Sequence, residues 1–97
     1  MKIAGREFKK TDYYVFKDNA MHRNVAAGLI RENRRPYRLA GNYNLYIDSF
    51  PTVALPYSTY YVADKNSGEV YSCEVLHNTS DNKRFIKELV EELKNRR

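Results

Sequence analysis

The chain has 97 residues, of which 42% are hydrophobic and 13% aromatic; that supports one hydrophobic core and not two, so residues 1–97 are read as a single domain. A charged fraction of 30% and a lone cysteine, Cys73, exclude wholesale disorder, an internal disulfide and a cysteine-rich metal site. No apolar run approaches the ~20 residues of a membrane-spanning helix, and the opening MKIAGREFKK lacks the apolar stretch of a secretory signal, so a cytoplasmic location without membrane association is expected.

From Glu7 to Lys17, Tyr13 and Val15 alternate with Tyr14 and Phe16, the pattern of a strand covered on both faces. Asp18 or Asn19 then offers a helix cap, and Met21, Val25 and Leu29 with Ala26 and Ile30 recur at three- and four-residue spacing. That periodicity predicts an amphipathic helix ending near Asn33, with Pro36 barring its continuation. Gly41 and Asn42 mark a turn before the alternating strand Tyr43 to Asp48, and Ser49 to Pro56 reads as a loop lying on the protein. Tyr57 to Lys65 and Glu69 to His77 flank Asn66-Ser67-Gly68, a hairpin signal. Pairing Lys65 with Glu69 puts Tyr57, Thr59, Tyr61, Ala63, Tyr71, Cys73, Val75 and His77 on the expected core face, and a bulge at the glycine would shift that register by one. After the cap residues Thr79, Ser80 and Asp81, Phe85, Ile86, Leu89, Val90 and Leu93 form the stripe of a final helix. The expected fold is therefore α+β, a small antiparallel sheet of three to four strands packed against two helices in the order β-α-β-β-β-α.

Chemistry is sparse. His22 and His77 stand on different elements without a ligand at helical spacing, so no metal is expected, and no Gly-rich loop calls for a cofactor. Cys73 lies mid-strand, where a thiol is inert. Glu74 is placed opposite Tyr60 and could serve as a base, although a cross-strand surface contact is the commoner explanation. No catalytic set emerges.

Charge carries the remaining signal. Residues 1–40 hold ten Lys/Arg against four acids, residues 41–81 one against five, and residues 82–97 six against three, for a net +5. Within the first block, Arg31, Arg34, Arg35, Tyr37 and Arg38 fall at a helix-to-strand corner, where arginines can fork onto phosphates and a tyrosine can stack on an unpaired base. Lys9, Lys10 and Lys17 could extend that patch. Tyr46 and Tyr60, on the face opposite the expected core, are read as exposed contacts. The plainer account is a solvated helix end whose arginines favour the dipole. The basic residues of the last helix have such an account too, since Arg84 with Glu88, Lys87 with Glu91 and Glu92 with Arg96 are four apart.

The order helix, three strands, helix between residues 19 and 95 resembles the double-stranded-RNA-binding domain, with Lys83 and Arg84 at the start of the last helix. Tyr60-Tyr61-Val62 through Glu74-Val75-Leu76-His77 is similar to the closing hairpin of RelE/ParE-type toxins. Neither resemblance carries residues over, and no family is assigned from them. The leading expectation is a small basic, non-catalytic domain that binds nucleic acid, RNA or DNA, through the arginine and tyrosine patch. One alternative is a protein-protein interaction module, an inhibitor or regulator of the kind mobile elements carry, docking on an acidic protein surface. A second is a metal-free ribonuclease of toxin type using Arg34, Arg38, Tyr60 or His77. An exposed edge strand leaves room for a homodimer.

Overall fold

The computed structural model describes residues 1–15, 20–25, 28–31, 34–49, 57–76 and 79–96. Within these residues nine strands and one helix follow in chain order: β1 (Lys2–Ile3), β2 (Arg6–Glu7), β3 (Lys9–Val15), β4 (Met21–Val25), β5 (Gly28–Arg31), β6 (Arg38–Ala40), β7 (Tyr43–Ser49), β8 (Tyr57–Asp64), β9 (Glu69–Leu76) and α1 (Thr79–Asn95). β1 and β2 form a small hairpin, and the other seven make one antiparallel sheet in the order β5-β4-β3-β9-β8-β7-β6. The two-helix α+β expectation is thus overturned: the described chain is mostly β with one helix, and the double-stranded-RNA-binding order falls with it.

The correction lies at Met21–Arg31. Val15 faces Met21, Tyr14 faces His22 and Tyr13 faces Arg23 across β3 and β4, and Arg23 in turn faces Ile30 of β5. Helical spacing there was real but local. β-Branched Val25 and Ile30 and the helix-weakening Gly28 suit a strand better, and pairing with an adjacent aromatic strand outweighs a weak helical propensity.

Arg31 ends β5 and Arg38 begins β6, the two outermost strands of the sheet. Seven residues of chain reach at most about 25 Å, whereas six flat inter-strand steps at about 4.8 Å would hold the edges about 29 Å apart. The sheet is therefore curled, and the described part of the connecting strap, residues 34–37, crosses its hollow face.

Each face has its own core. Beneath α1 lie Ile3, Phe8, Ala40, Tyr43, Leu45, Tyr60, Val62 and Val75 with Phe85, Leu89 and Leu93. On the opposite face Val15, Met21, Tyr46, Ala63 and Val70 cluster with Tyr13 and Tyr61 at their margin. The β8–β9 register is one residue away from expectation: Tyr60 faces Cys73 and Ala63 faces Val70. Gly68, at φ +79°, donates to the Asp64 carbonyl at 2.7 Å, so the turn takes four residues, Lys65 to Gly68, rather than the three expected, which moves the pairing by one. Asp64 Oδ1 also accepts from the Asn66 amide at 2.9 Å and from Asn42 Nδ2 at 2.8 Å, tying this turn to the β6–β7 turn.

The β6–β7 turn brings the sheet edge to the helix. Gly41, at φ +63°, opens a two-residue link between paired Ala40 and Tyr43, the conformation glycine supplies at the first position of a type II′ turn. A Cβ there would stand 3.6 Å from the Lys94 backbone. The β1–β2 hairpin is held against the same helix, because Glu92 accepts from the Ala4 amide and Arg96 Nη1 donates to the Lys2 carbonyl at 3.4 Å. Glu92 and Arg96 thus reach the hairpin rather than each other.

Candidate functional site

The predicted arginine and tyrosine patch does not exist as one surface. Arg31 ends β5 at one edge of the sheet and Arg38 begins β6 at the other. Between them, Arg34 is committed to structure: its Nη1 pairs with Asp48 Oδ2, and its guanidinium lies 5.9 Å from the Tyr13 ring centre and 5.6 Å from that of Tyr61. The two tyrosines meet edge to face at 5.4 Å. Arg34 is therefore a bolt that fixes the strap across β3, β7 and β8, with its charge neutralised. Arg35 is exposed beside it.

Tyr46 and Tyr60, expected as exposed contacts, are each 1% exposed. Both faces of the sheet are covered, so alternation could not mark one of them as outside. Tyr60 sits under α1 with its ring 5.2 Å from Phe85, and burial pushes its hydroxyl pKa up. Tyr46 belongs to the opposite core, where Asn44 Nδ2 lies 3.4 Å from its hydroxyl. The ribonuclease set is accordingly dispersed, for Tyr60 is buried beneath the helix and Arg34 is locked on the other face; His77 lies outside the described residues. Glu74 faces Thr59 rather than Tyr60 and is exposed. Cys73 is half-buried against the helix-side core, and that burial raises its thiol pKa above the usual value.

What survives of the patch is its last two residues, completed by a helix. Tyr37 and Arg38, at the start of edge strand β6, join Lys83, Ile86, Lys87, Val90, Glu91 and Lys94 of α1 around an open groove of about 520 Å³, within the range of about 300–1,000 Å³ that ligand sites occupy. The local reasons are simple. Phe85, Leu89 and Leu93 face the sheet at four-residue spacing, which turns Ile86 and Val90 sideways as an apolar floor and leaves Lys83, Lys87 and Lys94 along the rim. The Tyr37 amide donates to the Leu45 carbonyl at 2.6 Å, which fixes its backbone to β7. Its ring is 51% exposed, with the Arg38 guanidinium 5.2 Å from the ring centre.

The groove differs from the other charged regions in that its cations are not bonded to a carboxylate among the described residues. Lys10 pairs with Glu69 at 3.0 Å and Arg34 with Asp48. Among the described residues, Arg38, Lys83, Lys87 and Lys94 form no ion pair, although Glu91 shares the groove. Lys83, Lys87 and Lys94 were missed in the sequence because Lys87 has Glu91 four residues on, Lys94 suits the negative end of the helix dipole and Lys83 entered only as the basic start of the last helix; the signal that could have found them is that all three share one stripe with Ile86 and Val90.

A second cleft, of about 410 Å³, is lined by Lys10, Asp12, Tyr14, Asn24 and Glu69 beside the irregular pairing of β3 with β9. Its lysine and Glu69 are paired with each other. Glu69 accepts from Tyr71 at 2.7 Å as well as pairing with Lys10, and those two bonds hold its carboxyl below the usual range, while the bond to Glu69 pushes the Tyr71 hydroxyl up. His22 stacks on Tyr14 at 5.3 Å at this end of the sheet, on a strand and not on the solvated helix face expected for it. Lys17 lies outside the described residues.

Among the described residues no group of three His, Cys, Asp or Glu could hold a metal ion, and no helix is long and apolar enough to cross a membrane. Comparison with known proteins finds no family that matches the chain, no similar curated protein and no similar solved structure.

Proposed function

We propose that the domain binds single-stranded nucleic acid along the groove between β6 and α1. The observation that carries this reading is the convergence of Arg38, Lys83, Lys87 and Lys94, without carboxylate partners among the described residues, beside the half-exposed ring of Tyr37. Cations without counter-ions attract a polyanion by releasing its condensed counter-ions, and an exposed aromatic ring gives any unpaired base a stacking platform. From Lys83 to Lys94 the helix rises about 16 Å, the length of four to five stacked nucleotides at about 3.4 Å each. A duplex offers its bases to no such ring, which favours the single-stranded form.

The test is fluorescence anisotropy of labelled single-stranded RNA, single-stranded DNA and both duplexes, each at about 50 and 200 mM salt. Single strands should bind tightest, with a log–log salt slope near −3 if four phosphates are neutralised at about −0.7 each. Charge reversal at Lys83 and Lys87 together should weaken binding by more than about tenfold and flatten that slope by roughly half. Unchanged affinity in that variant would remove the groove from consideration.

A protein partner is the second reading, and Leu39 favours it. That side chain is 63% exposed on edge strand β6, next to Tyr37, where an added strand from a partner would pair. A complex recovered at nuclease-resistant affinity and lost on Leu39→Lys, with no oligonucleotide bound, would establish it in place of the first.

A further inference from the structure

We infer that Glu91 makes the groove selective for bases that present paired N–H donors, guanine above all, and turns uracil away. The inference rests on the nucleic-acid reading of the groove and adds to it a preference that the cations alone cannot provide.

Glu91 is the one acid among the eight described residues that line the groove, between Lys87 and Lys94 on the same stripe of α1. Its spacing to Lys87 and Lys94 would suit a helical ion pair, yet among the described residues Glu91 forms no ion pair with either. A carboxylate so placed repels phosphate, so a strand drawn in by the lysines and Arg38 passes Glu91 with something other than its backbone.

An ionised carboxylate only accepts hydrogen bonds. Of the four bases, guanine alone sets two adjacent donors, N1–H and the N2 amine, on its Watson–Crick edge, and these match two carboxylate oxygens in the forked manner that gives strong, planar recognition. Cytosine and adenine offer an amine with an acceptor beside it. Uracil offers N3–H between two carbonyl oxygens, which meet a carboxylate unfavourably. The resulting order is guanine, then cytosine and adenine, then uracil. Tyr37 supplies the stack that any base accepts, and Glu91 the discrimination.

The test uses two labelled RNA oligomers of about eight nucleotides, all uridine or with the two central bases changed to guanine, measured with wild-type protein, Glu91→Gln and the Lys83 and Lys87 charge reversal. Glu91→Gln alters an exposed side chain, and an unchanged thermal midpoint confirms that its fold is intact. The expected result is guanine over uridine by about tenfold in the wild type. In Glu91→Gln the uridine oligomer should bind more tightly and the ratio should fall to within about twofold, because removing the charge lifts the repulsion and weakens the fork together. Equal binding of both oligomers by the wild type, with Glu91→Gln tightening them equally, would overturn the inference and leave the groove standing. Binding of neither oligomer, or binding indifferent to the lysine reversal, would overturn the groove reading and this inference with it.

Discussion

Arg34 and Arg38 are four residues apart, and each lies over a tyrosine ring, yet the molecule uses them in opposite ways. Arg34 is gripped by Asp48 between Tyr13 and Tyr61 and holds the strap across the hollow face. Arg38 rests on exposed Tyr37 at the lip of a groove whose other cations are on α1. Whether a carboxylate stands within reach decides the role: paired, an arginine is a structural cross-link with little left to attract a ligand, while unpaired beside other cations it is a source of field. Residue type and spacing are the same in both places, and only the fold tells them apart.

Substitutions should separate the two regions cleanly. The largest effect belongs to the buried tyrosine, since Tyr60→Ala empties space beneath α1 and should cost about 3–5 kcal/mol in a denaturant titration, against nearly nothing had it been the surface contact expected from alternation. Arg34→Ala comes next. It strands Asp48 and unpins the strap, a loss of about 2 kcal/mol, with the salt slope of oligonucleotide binding unchanged. In combination with Asp48→Ala the two losses should be less than additive, and strict additivity would show that the pair is not a unit. Tyr37→Ala is the mirror image, with stability held within about 0.5 kcal/mol and affinity for single strands reduced by about 1–2 kcal/mol through the lost stack. A variant that moved both quantities together would break the distinction between bolt and groove.

Where the sequence was informative, local chemistry and long-range pairing agreed. The aromatic run of β3 and the stripe from Phe85 to Leu93 folded as their periods implied, and the glycine hairpin before Glu69 formed one residue out of the expected register, so that Tyr60 and Val62 rather than Tyr61 and Ala63 share the helix-side face with Cys73 and Val75. Met21 to Arg31 failed because two periods fit it, and the choice was made by partners on β3 that no window on those residues contains. Tyr46 and Tyr60 failed for a different reason: alternation sorts side chains onto two faces but cannot say that both are covered, one by a helix and the other by a curl of the sheet. The site was half visible, Tyr37 and Arg38 in the sequence and Lys83, Lys87 and Lys94 not, because a groove between residues some fifty positions apart is a property of packing.

A smaller change sharpens the link between hairpin and helix. Ala4 sits at φ 50° and Gly5 at φ 78° in the two-residue link between Ile3 and Arg6, the geometry of a type I′ turn that alanine tolerates poorly and asparagine well. Ala4→Asn should therefore stabilise the fold by about 0.5–1 kcal/mol and raise the thermal midpoint by roughly 3–5 °C, without touching the groove. No gain would mean that the Glu92 bond to this amide, and not the turn, sets the hairpin's position.

The least effect is a pH dependence that reports on the bolt itself. Burial first, then neighbouring Tyr13 and Asp48, raise the Tyr61 hydroxyl above its ordinary 10.0, with Arg34 opposing them. The folded protein thus binds that proton more tightly than the unfolded chain does, so the contribution is fully present below the unfolded pKa and is lost as pH rises through it towards the folded value. Tyr60 and Tyr71 shift in the same direction. The denaturant midpoint should accordingly decline as the solution passes through the ordinary tyrosine range, and Tyr61→Phe should make that decline shallower, leaving the share due to the other two. Arg34→Gln removes the one influence that favours the phenolate, so in that variant Tyr61 should ionise at higher pH still, read by absorbance of the phenolate against the Tyr61→Phe background. Ionisation at lower pH in Arg34→Gln would mean that the strap lifts from the face when its bolt is drawn, exposing Tyr61 to water and making Arg34 the gate of the hollow face as well as its fastening.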